Sequence, residues 1–463
     1  MLLKFAVQNF KSFKDMTEFS MIASKVQRHR DHVEICDNHR VLKGSFLFGA
    51  NASGKSNFVE AIAFAVKIIH YGLQNVNINK KYFRIDNEYQ NKPGVFQFDF
   101  FINNKFYSYG FAISYLDGTV EEEWLYEISE KPEKEICVFH RSKENNKYQI
   151  NTELAFEKDE TKIKFDVYMK DFENINMGTT LFLTDIFKRA NEEESEFIPF
   201  IDTVEWFDKI IVIFPYSFYS RVEEFISDLN QKKKTEMLLK YFDTGIESVE
   251  EVEIDFEKLL SNMPPEKADE MMINLNKKLP DENSKVVVRH SFDGTLAEIS
   301  KRGNVIIAKK VSSNHGNNND LFERIDESDG TKRLFDLIPI FEKAKNDCII
   351  IVDELDRSFH TKLSEEFIKH FYVVAKDKKS QLIITTHDTN LLNLDNIRQD
   401  EIWFVDRQED HSSKIYSLSQ FKQRFDKDIE KDYLLGRYGA VPMFDSLFQE
   451  IGFQDDGGEL KSE

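Results

Sequence analysis

Residues 49–56 read Gly-Ala-Asn-Ala-Ser-Gly-Lys-Ser, a complete G-x-x-x-x-G-K-S loop. It follows the apolar run Ser45-Phe46-Leu47-Phe48 and precedes Asn57-Phe58-Val59-Glu60-Ala61-Ile62-Ala63-Phe64-Ala65, whose composition predicts a helix. Strand, glycine loop and helix, in that order, turn successive backbone N–H groups inward around an anion. The start of the helix adds the positive end of its dipole. The backbone of Gly49, Ala50, Asn51, Ala52, Ser53 and Gly54 is therefore expected to wrap a polyphosphate. Lys55 is expected to reach its β- and γ-phosphates, and the Ser56 hydroxyl to bind Mg²⁺. Such a loop requires a doubly wound parallel sheet, so the fold class is α/β.

Two further runs fit the same sheet. Cys348-Ile349-Ile350-Ile351-Val352-Asp353-Glu354 predicts a buried parallel strand that delivers two carboxylates to its carboxyl edge. Asp353 suits the Mg²⁺ shell, and Glu354 suits a catalytic role, orienting an attacking water or accepting its proton. Gln381-Leu382-Ile383-Ile384-Thr385-Thr386-His387-Asp388 predicts a third such strand. A histidine at a strand end is by itself an ordinary hydrogen-bonded residue. Following an Asp-Glu strand, His387 becomes the second candidate catalytic residue, in reach of a γ-phosphate.

With these residues in view, the chain resembles an ABC-type ATPase of the RecF/SMC/OLD group. The opening Leu2-Leu3-Lys4-Phe5-Ala6-Val7-Gln8-Asn9-Phe10-Lys11-Ser12-Phe13 is similar to that group's first strand and its NF(K/R)SF turn. Residues 49–56 and 348–354 stand for its Walker A and Walker B motifs, Leu355-Asp356-Arg357-Ser358-Phe359-His360 for its D-loop with Asp356, and His387 for its switch histidine. The resemblance implies ATP and Mg²⁺ as cofactors and adds Lys11, Ser12 and Asn57 to the nucleotide-binding set. Glu327-Ser328-Asp329-Gly330-Thr331-Lys332-Arg333-Leu334 stands where the signature belongs. Asp329 replaces a glycine and Thr331 the glutamine of LSGGQ, as suits the arm-less branch related to OLD proteins. The family pattern implies that Ser328, Asp329, Gly330 and Thr331 meet the nucleotide of a second copy, making a homo-oligomer with ATP-dependent head contacts. A helix start after Gly330 fits that role. The Q-loop glutamine is not placed; Gln97 reads as a surface strand residue.

The ending Tyr433-Leu434-Leu435-Gly436-Arg437-Tyr438-Gly439-Ala440-Val441-Pro442 resembles that of ATPases from paired bacterial phage-defence systems of the RloA, AbiL and PARIS type. This resemblance implies a sensor or scaffold that controls a separate effector protein in response to a phage-encoded trigger. OLD-type nucleases carry a TOPRIM domain after the switch histidine. Only 76 residues (463 − 387) follow His387, and the one D-x-D among them, Asp426-Lys427-Asp428, reads as solvated surface.

Lys55 and Asp353 stand 298 positions apart (353 − 55), so a large insert separates the nucleotide motifs. No sustained heptads occur; residues 255–280 are helix-like but broken at Pro264-Pro265 and ended by Pro280. The expectation is an ABC-ATPase head with its own lobes and no long coiled coil. Residues 1–159 would form its N-terminal half, in which the alternation from Val95 to Ile150 predicts an antiparallel layer. Its aromatics read as core rather than as a base-stacking platform. Residues 160–285 read as an inserted helical lobe, 286–454 as the C-terminal half, and 455–463 as an acidic tail. Residues 312–320, rich in Ser and Asn, read as a loop before the signature.

The formal charge of −20 opposes a DNA-coating surface, because phosphate binding needs Lys and Arg. A RecF-like DNA repair ATPase is the alternative reading, disfavoured on that ground. Lys25, Arg28, His29 and Arg30, and Lys232-Lys233-Lys234, read as solvated faces. No apolar run is long enough to span a membrane and the N-terminus lacks a signal-peptide pattern, which predicts a cytoplasmic protein. Cys36, Cys137 and Cys348 share no metal-like spacing and read as reduced thiols.

Overall fold

Apolar residues two apart build the first layer. In Gly94–Ile102 the phenylalanines at 96, 98 and 100 fall on one face, and all three are buried. The computed structural model describes residues 1–441 except 131–132, 145–146, 176–177, 192, 216–228, 262–263, 280, 282–283, 290–295, 304 and 422–428. Glu192, Pro280, the Asp426-Lys427-Asp428 triplet, Pro442 and the tail 455–463 thus lie outside the described residues.

Seven strands form an antiparallel sheet in the order Lys147–Asn151, Glu133–Glu144, Thr119–Glu130, Lys105–Ser114, Gly94–Ile102, Leu2–Gln8, Thr17–Ser20. Its aromatic face packs on the helix Lys55–Tyr71, with Phe5 against Phe58 at 5.6 Å and Phe96 against Phe64 at 5.5 Å between ring centroids. It also packs on Ile198–Asp208, where Trp206 stacks on Phe100 at 4.2 Å. The meander's aromatics are core, as read from the sequence.

The second sheet has six strands in the order Ile210–Ile213, Ile349–Val352, Gln381–Thr385, Gly44–Phe48, Ile402–Arg407, Ser413–Ser417. The first five run parallel, and the last closes an antiparallel hairpin with its neighbour. Both faces are covered, as a parallel sheet requires. Leu47, Ile349, Ile351 and Ile383 point into the core shared with the antiparallel layer. Phe46, Ile350, Val352 and Ile384 point into a second core, built with the helices Asp329–Leu337, Pro339–Lys343 and Thr361–Val374. This is the expected doubly wound P-loop core with an antiparallel layer beside it.

Residues 160–285 depart from the helical expectation in two places. The helices Asp159–Ile175, Phe182–Arg189 and Ile198–Asp208 are there, and Phe165, Phe182 and Phe200 join the antiparallel sheet's core. The chain then returns to the parallel sheet as Ile210–Ile213, beside the Asp-Glu strand. Four β-branched residues in a row favour a strand over a helix. Next, Ser248–Ile254 opens a four-stranded antiparallel sheet with Val305–Asn314, Leu296–Arg302 and Lys285–Arg289. Helices Phe256–Ser261 and Pro265–Lys278 cover it around a small core of its own. Residues 312–314, expected in a loop, end a strand of this sheet. Among the described residues no helix exceeds 17 residues, so no long coiled coil is present, and none is long and apolar enough to cross a membrane.

A buried ion pair ties the segment after the second strand to the C-terminal third. Arg398 is 1% exposed and Asp400 4%. Arg398 Nε and Nη2 donate to the Asp400 carboxylate, each at 2.8 Å, and Arg398 also donates to the carbonyls of Val26 and Arg28. Asp400 in turn accepts from the backbone N–H and hydroxyl of Ser24, both at 2.7 Å. Arg398→Ala would leave Asp400 buried without its counter-charge. The expected cost is about 3–5 kcal/mol, read as a lowered denaturation midpoint; an unchanged midpoint would show that the pair does not hold these segments together.

Candidate functional site

The phosphate loop leaves the carboxyl end of the strand Gly44–Phe48 and enters the helix Lys55–Tyr71. Two of its positions accept only glycine. A Cβ on Gly49 would stand 2.3 Å from the Val405 carbonyl oxygen, and Gly54 has φ +111° with its would-be Cβ 2.1 Å from Ser413 Oγ. Lys55 is 4% exposed. Its ammonium turns back to donate to the carbonyls of Gly49 at 2.7 Å and Ala50 at 3.0 Å. Burial lowers its pKa from 10.5 to about 8, against the opposing pull of Asp353, Asp356 and Glu354. The Ser53 hydroxyl is buried in the loop with no partner in the protein. An orphaned hydroxyl and an ammonium resting on its own loop suit a group that brings acceptor oxygens.

The parallel register brings the Asp-Glu strand and the histidine strand to the same edge, since Val352 pairs with Ile384 and Leu47 with Thr385. Ser56 Oγ donates to Asp353 Oδ1 at 3.2 Å, and Thr385 Oγ1 donates to the same oxygen at 2.6 Å. Thr385 Oγ1 also accepts the backbone N–H of Glu354 at 2.8 Å. That bond supports Glu354 in a left-handed backbone conformation, φ 50°, which non-glycine residues rarely adopt. Burial raises the pKa of Asp353, opposed by the Thr385 and Ser56 hydroxyls and by Lys55. A hard oxygen pair, one hydroxyl and one carboxylate, suits Mg²⁺, which binds through few protein ligands beside substrate phosphates and waters. A bound divalent cation would reverse the shift of Asp353. Among the described residues no group of three or more His, Cys, Asp or Glu forms an all-protein metal cage.

His387 lies beside the loop, with Nδ1 3.4 Å from Lys55 Nζ. Its backbone N–H donates to the Asp356 carboxylate at 3.2 Å, so the D-loop and switch residues are bonded to each other within one chain. Burial, and then the charge of Lys55, lowers the pKa of His387; the ring is neutral at pH 7 and its Nδ1 can accept from Lys55.

The signature stretch begins the helix Asp329–Leu337, two residues earlier than the sequence suggested. Ser328 caps it by accepting from the Thr331 N–H at 3.1 Å. Gly330 sits on its own chain's D-loop, where a Cβ would meet the Ser358 carbonyl oxygen at 2.8 Å. Lys11 and Ser12 occupy a tight turn, Lys11 at φ 51°. Lys11 pairs with Glu60, which also holds Lys81 at 2.5 Å. Ser12 Oγ accepts from Asn57 Nδ2 at 2.8 Å. Gln97 is bonded within the antiparallel sheet to Asp99 at 3.1 Å and Ser108 at 3.2 Å, matching its reading as a strand residue.

Three contributors were not singled out by their sequence. Thr385 lay inside a noted run, but nothing marked its hydroxyl as the link between Asp353 and Glu354. Arg333, 5% exposed, donates to the carbonyls of Asp353 at 3.3 Å and Phe214 at 3.2 Å, joining the signature helix to the Asp-Glu strand. Ser413 reaches the loop from the edge hairpin and carries no sequence signal.

A family model described as "AAA domain, putative AbiEii toxin, Type IV TA system" matches residues 45–393. The chain belongs to this family. The match runs from the phosphate-loop strand to just past His387, and so spans residues 49–56, 348–354 and 387. No curated protein matches the chain. Among solved structures it is similar to an SMC head bound to the C-winged helix domain of ScpA, at 16% identity and TM-score 0.41, covering 90% of this chain and 97% of that one. It is also similar to the SMC head domain from Thermotoga maritima, at 12% identity and TM-score 0.37, covering 90% and 98%. A third is the SMC head domain with an extended coiled coil, bound to the C-terminal domain of ScpA, derived from Pyrococcus furiosus; it shows 14% identity and TM-score 0.38, covering 94% and 98%.

The lysine of this AAA-family site gives a pH test. A bound triphosphate returns charge to Lys55, so above the free-state value of about 8 binding must take up a proton. Nucleotide affinity is expected to be flat below that pH and to fall about tenfold per pH unit above it, up to the bound-state pKa. Lys55→Arg keeps its charge and should flatten the profile of whatever binding remains. Titration with a slowly hydrolysed ATP analogue from about pH 7 to about pH 9.5 checks this; a flat wild-type profile would contradict it.

Proposed function

We propose that this chain is an Mg²⁺-dependent ATP hydrolase that acts as sensor and scaffold in phage defence and controls a separately encoded effector. The observation that carries the reading is the meeting of Lys55, Ser56, Asp353 and His387 at one sheet edge, joined by the Ser56–Asp353 contact at 3.2 Å and the Lys55–His387 contact at 3.4 Å. Residues 49–57 would cradle the triphosphate, with Lys55 on its terminal phosphates. Ser56 and Asp353 would hold Mg²⁺, which supplies charge neutralisation at the phosphates when bound. Glu354 would take the proton of the attacking water, and neutral His387 would orient the γ-phosphate end. The two parts of the head, 1–159 and 286–454, would close around the nucleotide together with the signature of a second copy, in which Ser328, Asp329, Gly330 and Thr331 face the phosphate. The capped helix start at Ser328 supports that role, because its first N–H groups suit an anion. The family's description as part of a toxin–antitoxin system, and the resemblance of the Tyr433–Pro442 stretch to ATPases of paired phage-defence systems, support pairing with a second protein.

Lys55→Ala should lose ATP binding. Glu354→Gln should bind ATP yet turn over at least about a hundredfold more slowly, the range set by loss of a general base. Normal turnover by Glu354→Gln would remove that carboxylate from the role. With ATP and Mg²⁺ the Glu354→Gln protein should also sediment as a dimer or larger, and Ser328→Arg should return it to the monomer. A Glu354→Gln protein that stays monomeric with ATP would sink the in-trans site. For the effector, the product of the neighbouring gene should co-purify with wild-type protein in a nucleotide-dependent way.

A further inference from the structure

The hairpin Ile402–Arg407/Ser413–Ser417 lies at the far edge of the parallel sheet, yet its turn reaches the phosphate loop. Ser413 is 5% exposed. Its Oγ lies 2.5 Å from the Ser53 carbonyl oxygen and 2.8 Å from Ser12 Oγ, and its backbone N–H donates to the Ser12 carbonyl at 2.7 Å. Ser12 Oγ in turn accepts from Asn57 Nδ2 at 2.8 Å. A serine hydroxyl has one proton to give, and a carbonyl oxygen can only accept. Ser413 is the donor in both contacts, so its one proton is shared between the Ser53 carbonyl and Ser12 Oγ. Ser413 thus bridges the phosphate loop and the N-terminal turn, and Ser12 Oγ accepts from both Ser413 and Asn57 Nδ2. The same pair fills the space beside Gly54, whose would-be Cβ stands 2.1 Å from Ser413 Oγ and 2.8 Å from Ser12 Oγ.

We infer that Ser413 is a positioning residue of the nucleotide site, and that Ser12, which accepts its hydroxyl, acts with it on the phosphate loop. The inference rests on the ATP-binding reading above. The bridge pins the peptide between Ser53 and Gly54, one before the peptide that leads into the lysine, and so fixes where the following N–H groups point. Orientation of preset N–H donors is where an anion site gains its affinity, because donors already aimed need no reordering when the anion arrives. A second, exposed contact fixes the hairpin turn to the same N-terminal turn: Lys14 Nζ pairs with Asp410 at 3.0 Å, and Asp410 accepts from the Ser412 hydroxyl at 2.6 Å. The hairpin thus grips residues 12 and 14 together and presents Ser413 to the loop.

The test uses the full chain, a fluorescent slowly hydrolysed ATP analogue with Mg²⁺, and steady-state ATP turnover. Ser413→Ala should weaken analogue binding about five- to tenfold, the scale of one or two lost hydrogen bonds, and raise KM by the same factor. Its kcat should stay within about twofold and the melting temperature of the nucleotide-free protein within a few degrees. Ser12→Ala should give a similar loss, and the double variant no more than the larger single one, because both break one bridge. Additive losses would mean that Ser12 contacts the nucleotide on its own. Unchanged affinity in a folded Ser413→Ala protein would overturn the inference. If Ser413→Ala does not fold, Ser12→Ala alone decides: a wild-type affinity there overturns the bridge. A wild-type chain that binds the analogue no better than Lys55→Ala would overturn the ATP-binding reading itself, and this inference with it.

Discussion

One carboxylate oxygen, Asp353 Oδ1, joins the three parts of the site. It accepts from Ser56 at the head of the phosphate-loop helix and from Thr385 at the end of the neighbouring strand. Parallel strands make this junction unavoidable once their register is set, because every carboxyl end falls on the same side of the sheet. Thr385 extends the link to the Glu354 backbone. Two donors on one buried oxygen offset the cost of keeping that carboxylate away from water, and they also aim it at the loop.

The surrounding layers keep that junction still. The helix carrying Lys55 and Ser56 is held on one side by the parallel sheet and on the other by the aromatic face of the antiparallel one. Phe58 touches both Phe5 at 5.6 Å and Phe19 at 5.0 Å. Ring contacts of this kind add to the area they bury, and they fix the rotation of the helix that the loop enters. On the other face of the parallel sheet, Arg333 connects the signature helix to the Asp353 carbonyl. A shift at either end of that connection would be felt at the other.

What the residues alone revealed follows from how local each signal is. The phosphate loop, the Asp-Glu strand and the histidine strand are each written in a few consecutive positions, and the structure brings them to one edge. The aromatic meander was legible because period-two burial needs no long-range information. The strand Ile210–Ile213 was missed because it is short, sits among helices, and gains its place only by pairing with Ile349–Val352, some 140 positions later. The four-stranded sheet begins inside the stretch read as helical, and that first strand was missed for a related reason. It reads Ser-Val-Glu-Glu-Val-Glu-Ile, in which the Glu pair breaks the period of two, and the sheet's covering helices, broken at the prolines, dominate the local pattern. Ser413 and Thr385 were silent because a hydroxyl carries no sequence pattern that names its acceptor. Lys11 was assigned by likeness of motif, and the structure pairs it with Glu60.

The strand order also sets a timetable for synthesis. Gly44–Phe48 occupies the middle of the parallel sheet, flanked by Gln381–Thr385 and Ile402–Arg407. Roughly 330 residues must leave the ribosome after the phosphate loop before either neighbour exists, which at about 5–20 residues per second is on the order of 20–70 s. Throughout that interval the nascent chain carries an unpaired, phenylalanine-rich strand and an apolar helix with half of their cover missing. Exposed apolar surface and an unpaired strand of this kind are prone to aggregate, so products truncated before the last third are expected to aggregate rather than fold.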